Sequence, residues 1–322
     1  MVGAIVYVIT DNYALLLLGS AIGLIGAGSG AGGPIFPIQQ ALLADQTSPK
    51  ERNSVFGFSS FAFTIAASAG ALMVGLPDIL AKVMSISLLD GQRSMYALTV
   101  VFSAVYIVIV SRIREPRREM KGKPIIPVKS KGVIVKYSTF RAFDGLGQGT
   151  FTPLLSYWFF LQFGVPLTSM AIIFSLSELA SALGMIGAAR LAKRFGSLNS
   201  IVATQAPGIA LLFVLPFAPN LIAATVIMIA KEIFGQMDIP LKQAYLMSVV
   251  TPEERASVAG ITSVMTFVPQ SMGGTIAGYF FQFVSLSSPF IFSGVTKAFG
   301  YGYLYMAFRK IKPVYERETQ EE

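Results

Sequence analysis

Apolar residues in this chain come in long runs separated by short polar junctions. Runs of spanning length cover about 14–44, 55–77, 95–111, 138–163, 168–189, 199–217, 221–248, 257–283 and 289–308. A helix rises about 1.5 Å per residue, so about 20 apolar residues cross a hydrocarbon core about 30 Å thick. Each run is therefore expected to form a transmembrane helix. The opening MVGAIVYVIT is apolar but too short to cross, and reads as the second half of a further span. It lacks the basic start and polar cleavage region of a signal peptide. Strand-like alternation is absent from the sequence, which argues against a β-barrel. The expected fold class is an all-α membrane protein, a polytopic helical bundle with about nine full transmembrane helices plus an N-terminal partial one.

Composition agrees with that pattern. Of the 322 residues 53% are hydrophobic and 13% charged, against about 25% charged in soluble domains. Mean hydropathy is +0.64. There is no Cys and no His, which excludes disulfides, thiol chemistry, Cys/His zinc sites and Ser-His triads. No cofactor is expected.

The net charge of +8 changes meaning once the basic residues are placed. If the loop at 45–54 is cytoplasmic and sides alternate, one face collects Lys50, Arg52, the cluster from Arg112 to Lys136, Arg190, Lys193, Arg194, Arg255 and the tail from Arg309 to Arg317. The other face keeps Lys82 and Arg93. This is the positive-inside asymmetry. It predicts a multi-pass protein of the cell membrane with a cytoplasmic C-terminal tail, and makes the basic cluster a topology signal rather than a nucleic-acid site. Residues 112–136 are basic and hold three prolines. They read as a cytoplasmic linker between a half bundle at 1–111 and a six-helix bundle at 137–312, with a tail at 313–322.

The two parts share a repeat. Gln40-Ala41-Leu42-Leu43 through Pro49-Lys50-Glu51-Arg52-Asn53-Ser54-Val55-Phe56-Gly57 matches Gln243-Ala244-Tyr245-Leu246 through Pro252-Glu253-Glu254-Arg255-Ala256-Ser257-Val258-Ala259-Gly260 at a constant offset of 203. The same register pairs Pro37 with Pro240, Ser68 with Ser271 and Gly70 with Gly273. The copies lie six spans apart, so they share one orientation: a parallel repeat, as in transporter halves. Ser48–Glu51 and Thr251–Glu254 each read as a capping box with proline at the first helical position.

These residues resemble the major facilitator superfamily. The P-x-E-R junctions at Pro49–Arg52 and Pro252–Arg255 look like those after helices 4 and 10 of that family. Gly187-Ala188-Ala189-Arg190-Leu191-Ala192-Lys193-Arg194-Phe195-Gly196 is similar to its G-x-L-A-D-R-x-G loop between helices 8 and 9, with Lys193 in the acidic position. On this register the chain lacks helices 1 and 2, begins inside helix 3 and ends after helix 12. It looks most like uncharacterised exporter-type members. The resemblance implies secondary transport of a small solute by alternating access, with proton coupling and efflux as expectations. It also implies a cavity lined by helices 1, 4, 7 and 10. The alternative is a transport-inactive remnant, or a half-transporter needing a partner chain, because loss of helix 1 opens one wall of the cavity.

Ionisable residues inside a span are costly and mark function or internal pairing. The 221–248 span carries Lys231, Glu232, Asp238 and Lys242. Lys231, Gly235, Asp238 and Lys242 fall on one helical face, with Gln236 and Gln243 beside it. Lys231, Glu232 and Asp238 are candidates for the transport path or for proton transfer; the other reading is an internal charge-paired strut. The 138–163 span carries a second stripe, Arg141, Asp144, Gln148, Thr152 and Ser156, of which Asp144 and Gln148 are the better candidates. Glu178 lies mid-span among Ser175, Ser177 and Ser181. Lys297 shows no local partner, and because the resemblance puts its helix at the periphery it reads as structural or interfacial. Glu51, Arg52, Glu254, Arg255, Arg190 and Arg194 are candidates for cytoplasmic gate loops. Gly26–Gly33 contains a G-x-G-x-x-G string but no soluble βαβ unit; small-residue helix packing explains it, and equally Gly145/Gly149 and Gly274/Gly278. Tyr157, Trp158, Phe159 and Phe160 read as an interfacial aromatic belt. No H-E-x-x-H, no Cys nucleophile and no Gly-x-Gly-Asp order point to an enzyme. The expected partners are the lipid bilayer, a small-molecule substrate and protons, and no nucleic acid.

Overall fold

The computed structural model describes residues 2–19, 35–48, 51–73, 76–77, 80, 83, 85–112, 130–165 and 167–311. The glycine string at 26–33, most of the 112–136 linker and the tail beyond 311 lie outside the described residues. Within them the secondary structure is helical and no strand occurs. The helices are α1 Val2–Ile9, α2 Tyr13–Gly19, α3 Ile35–Asp45, α4 Arg52–Leu72, α5 Leu88–Ser111, α6 Lys131–Phe151, α7 Leu155–Phe163, α8 Leu167–Phe195, α9 Ser197–Val214, α10 Leu221–Val249, α11 Arg255–Phe283 and α12 Ser288–Phe308.

The chain divides into two compact units, residues 1–36 with 72–124 and residues 37–71 with 125–322. In the first, α1 packs on α2 and α5: Gly19 lies against Val6, the Tyr7 and Tyr96 rings stack 4.8 Å apart, and Arg93 pairs with Asp11 at 2.6 Å. Ser87 starts α5 by accepting the Asp90 amide. Its apolar residues from Val101 to Val110 are largely exposed, the surface that lipid would solvate.

Among the described residues, three helices are long and apolar enough to cross a membrane by length and composition alone: Leu89–Ser111, Ser169–Phe195 and Ser197–Phe217. The 29-residue α10 is as long as any but carries four ionisable side chains, which keep it out of that set. The expected 138–163 span is two helices. It breaks at residues 152–154, where Pro153 supplies no N–H to the helix ladder.

The second unit holds the buried core. Two aromatic clusters form it. One contains Tyr137, Phe140, Tyr245, Tyr301 and Phe308, the other Phe151, Trp158, Phe159, Leu212 and Phe290. Trp158 and Phe159 are therefore core, Trp158 packed edge-to-face with Phe290 and with Phe159; of the expected aromatic belt, Tyr157 and Phe160 are exposed.

The helix α6 is wedged between α11 and α12 by glycines. A Cβ on Gly145 would lie 2.2 Å from the Thr266 carbonyl oxygen and one on Gly149 1.9 Å from that of Gln270. From the α11 side Gly273 meets the Gly149 backbone, whereas Gly278 has open space and Gly274 only a distant Pro153. The pairing glycine of α11 is thus Gly273. Gly147, on the other face of α6, abuts Thr296 and Lys297 of α12. This close approach fixes the height of Asp144 against α10 and α12.

Candidate functional site

On α6, Asp144 lies between Phe140 of one aromatic cluster and Phe151 of the other. Buried in this apolar setting, its carboxylate needs partners, and three cations supply them. Arg141 Nη1 is 2.9 Å away, Lys242 Nζ 3.1 Å and Lys297 Nζ 3.3 Å; the Tyr301 oxygen lies 3.4 Å from the same carboxylate. Arg141 also donates through Nε to Thr266 Oγ1 at 2.9 Å. Three helices, α6, α10 and α12, thus meet at one carboxylate, and Arg141 links it to α11.

Asp238 is the second anion. Its side chain is fully buried, one turn from Lys242, whose ammonium reaches Asp238 Oδ2 at 3.0 Å. The Tyr301 hydroxyl donates a short hydrogen bond to the same oxygen and accepts from Lys242 at 2.9 Å. Asp238 Oδ1 is buried without a hydrogen-bond donor. Pro240 lies between Asp238 and Lys242 inside α10, where it removes one N–H from the ladder.

A second cluster sits on α10 two turns toward its N-terminus. Lys231 pairs with Glu232 at 2.7 Å and lies 4.0 Å above the Phe151 ring, a cation–π contact. Gln236 Nε2 bridges Glu232 at 3.2 Å and both oxygens of Glu178 at 3.5 Å. The single α10 stripe read from the sequence is therefore split between two clusters. On α6, Arg141 and Asp144 join the ionic network, while Gln148 instead donates to Thr152 at 2.8 Å beside the Pro153 break. Ser177 and Ser181 bond to carbonyls of their own helix; Ser175 meets Ser68 of α4 at 3.1 Å.

Lys297 and Tyr301 were not legible as site residues. They stand four apart on one face of α12, and that spacing was the available signal. Lys297 is 5% exposed and belongs to the network, not to the periphery.

The repeat produces a paired arginine contact. Arg52 donates to the Ala44 carbonyl at 3.1 Å, and Arg255 to the Met247 carbonyl at 3.1 Å. Each acceptor lies eight residues upstream, and Ala44 and Met247 are themselves related by the 203-residue offset. Arg52 also reaches Met247 O at 3.4 Å, and Arg255 pairs with Asp45 at 2.7 Å. The ends of α3 and α10 are thereby tied together. The other expected gate residues stand apart. Glu51 pairs with Ser48. Glu254, expected to cap its own helix, makes no cap there and accepts the Ser130 amide at the start of α6 at 2.9 Å. Arg190 and Arg194 are exposed, and Arg194 stacks on Phe195. No group of acidic or other side chains able to hold a metal occurs among the described residues.

Against known proteins, the sequence model of the Major Facilitator Superfamily matches residues 1–230 and 137–322. The chain is similar to an uncharacterized membrane protein of Saccharomyces cerevisiae, 19% identical over 86% of this chain and 70% of that one. Among solved structures, the human organic anion transporter MFSD10 (TETRAN) superposes with a TM-score of 0.65 at 14% identity, over 94% of this chain and 74% of that one. The Escherichia coli fucose:proton symporter FucP gives 0.64 at 15%, over 95% and 80%. A bacterial homologue of the iron transporter ferroportin, outward-facing, gives 0.60 at 12%, over 92% and 75%.

Proposed function

The chain belongs to the Major Facilitator Superfamily, and on that footing we propose that it is a proton-coupled secondary transporter that exports a small solute by alternating access. It is a membrane protein and a transporter, not an enzyme. The proposal adds the coupling, the direction and the residues. Asp238, Asp144, Lys231, Glu232, Glu178 and Gln148 line the path, and Asp238 carries the proton. The halves at 1–111 and 137–312, joined by the cytoplasmic linker at 112–136, move against each other.

The observation that carries the coupling is Asp238 Oδ1, a buried carboxylate oxygen with no donor. A proton there neutralises the carboxylate on the oxygen that Lys242 and Tyr301 leave free and removes the Asp238–Lys242 attraction. Lys242, now shared between two carboxylates at 3.0 and 3.1 Å, would then belong to Asp144 alone. Protonation thus changes how α10 is held to α6, and Pro240 places a weakened point of the helix at the same level. The Arg52 and Arg255 contacts close the end that the positive-inside asymmetry assigns to the cytoplasm. They must break for the cavity to open there.

The test is substrate-driven proton movement in proteoliposomes, followed with a trapped pH-sensitive dye during a screen of candidate solutes. Asp238→Asn is expected to keep solute binding and lose the coupled proton flux. Full coupled flux by that variant would leave the network as an internal strut and sink the proton-carrier assignment.

A further inference from the structure

The ionic network is not balanced. Around Asp144 the cations are the half-buried Arg141 and the buried Lys242 and Lys297; the anions are Asp144 and Asp238. Glu232 and Glu178 belong to the second cluster, where Glu232 pairs with Lys231 and Glu178 accepts from Gln236, and neither bonds to Arg141, Lys242 or Lys297. Tyr301 adds a hydroxyl and no charge. Within this cluster three cations therefore share two anions.

The deficit falls on particular atoms. Lys242 uses its ammonium fully, on Asp144, Asp238 and Tyr301. Lys297 has three donors and meets one oxygen, Asp144 Oδ1, at 3.3 Å, the longest of the network's ion pairs, with its side chain 6% exposed. Arg141 spends Nε on Thr266 and Nη1 on Asp144; its other amino group is open, and its side chain is 24% exposed. Both cations touch the same carboxylate, Arg141 at Oδ2 and Lys297 at Oδ1, so both keep spare donors beside one group. An isolated buried ammonium is strongly disfavoured without a counter-ion.

We propose that the missing charge arrives with the cargo: Lys297 and Arg141 form a binding site for an anionic group, a carboxylate, sulfonate or phosphate, on the transported solute. This rests on the transport reading for the word cargo, but the site itself can be tested without transport. Arg141, the more exposed cation, presents a planar fork suited to such oxyanions, and Lys297 supplies the buried charge behind it. Asp144 orients both.

The experiment is thermal unfolding of the purified full chain in nanodiscs, followed by Trp158 fluorescence. The probes are benzoate, benzenesulfonate and inorganic phosphate, against benzamide as neutral isostere and benzylammonium as cation. The expected result is a concentration-dependent rise in melting temperature with at least one anion and none with benzamide or benzylammonium. Lys297→Met is expected to weaken that anion response at least tenfold, Lys297→Arg to retain it. Without ligand, Lys297→Met should melt at or above the wild-type temperature, because it removes the unbalanced cation. Equal stabilisation by benzamide, an undiminished anion response in Lys297→Met, or loss of folded protein in both Lys297→Met and Lys297→Gln would each overturn the proposal. Zwitterionic against anionic lipid discs separate the source: a rise in melting temperature in anionic discs, with no further response to the soluble probes, assigns the site to a lipid headgroup and overturns the solute. Uptake of a neutral solute with no anion response would leave the transport reading standing and this one refuted. An anion response without any flux would do the reverse.

Discussion

Asp144→Asn is the sharpest probe of the network, because the structure gives its size. The wild-type carboxylate lies within 2.9, 3.1 and 3.3 Å of three cations. At an effective dielectric constant of about 20, one unit-charge pair at this range interacts by about 5 kcal/mol. Desolvation offsets most of that in the intact pair. Removing one partner does not recover the desolvation, since the other charge stays buried, and such losses run to about 3–5 kcal/mol. Asparagine keeps the shape and one acceptor, but leaves Arg141, Lys242 and Lys297 facing each other with Asp238 alone to compensate. The upper end of that range is expected, a fall in melting temperature of about 10 °C for a chain of this size. Trp158, the one tryptophan of the sequence, reports the transition; all variants are compared at one scan rate. Asp144→Asn with Lys297→Met returns the network to its wild-type excess of one cation, so the double variant should regain about 1–3 kcal/mol beyond the sum of the single effects. A single variant that melts within about 2 °C of wild type, or a double variant that is additive within about 0.5 kcal/mol, would refute the charge accounting on which the site rests.

Three further outcomes are expected. Gly149→Ala puts a methyl 1.9 Å from a backbone oxygen of α11 and should cost more than about 3 kcal/mol, read as lost folded yield in detergent size-exclusion, while Gly132→Ala, with nothing within 4 Å, should leave yield unchanged. Arg255→Gln loses the 2.7 Å Asp45 pair and should destabilise by about 1.5–3 kcal/mol, read as a lower melting temperature; Arg255→Lys should not rescue it, since one ammonium cannot reproduce the two-armed geometry. Trp158 is 1% exposed, so iodide and bilayer-embedded quenchers should both fail to quench it; strong quenching by brominated lipid would restore the interfacial-belt reading.

What could be read in advance was whatever one helix encodes by itself. Run length gave the helical fold, spacing put Asp238 and Lys242 on one face, and the glycines at 145 and 149 announced close packing. What could not be read was partner choice across the fold. Lys297 reaches a carboxylate 153 residues away, and no local pattern distinguishes that ammonium from one at an interface. Glu254 looked like a cap for its own helix because Thr251 stands three residues before it; a nearby amide at Ser130 competes for the same carboxylate and wins. Trp158 and Phe159 follow from the same limit: an aromatic run at a span end is interfacial only if no neighbouring helix covers it, and Phe290 does.

The repeat separates scaffold from chemistry. At the offset of 203, Arg52 and Arg255 coincide, as do the carbonyls they hold, at Ala44 and Met247. The charged positions of α10 do not: Asp238 aligns with Ile35, Lys242 with Gln39, Lys231 with Gly28 and Glu232 with Ser29. A duplicated contact that ties two helix ends together is what a symmetric moving part requires, because each copy must release and re-form against the other. An ionic network in one copy alone has no such symmetry to satisfy, and its charges are free to suit a ligand. On this argument substitutions at Arg52 and Arg255 should alter the equilibrium between conformations for every solute. Those at Asp238, Lys242 and Lys297 should alter which solute binds and whether a proton follows.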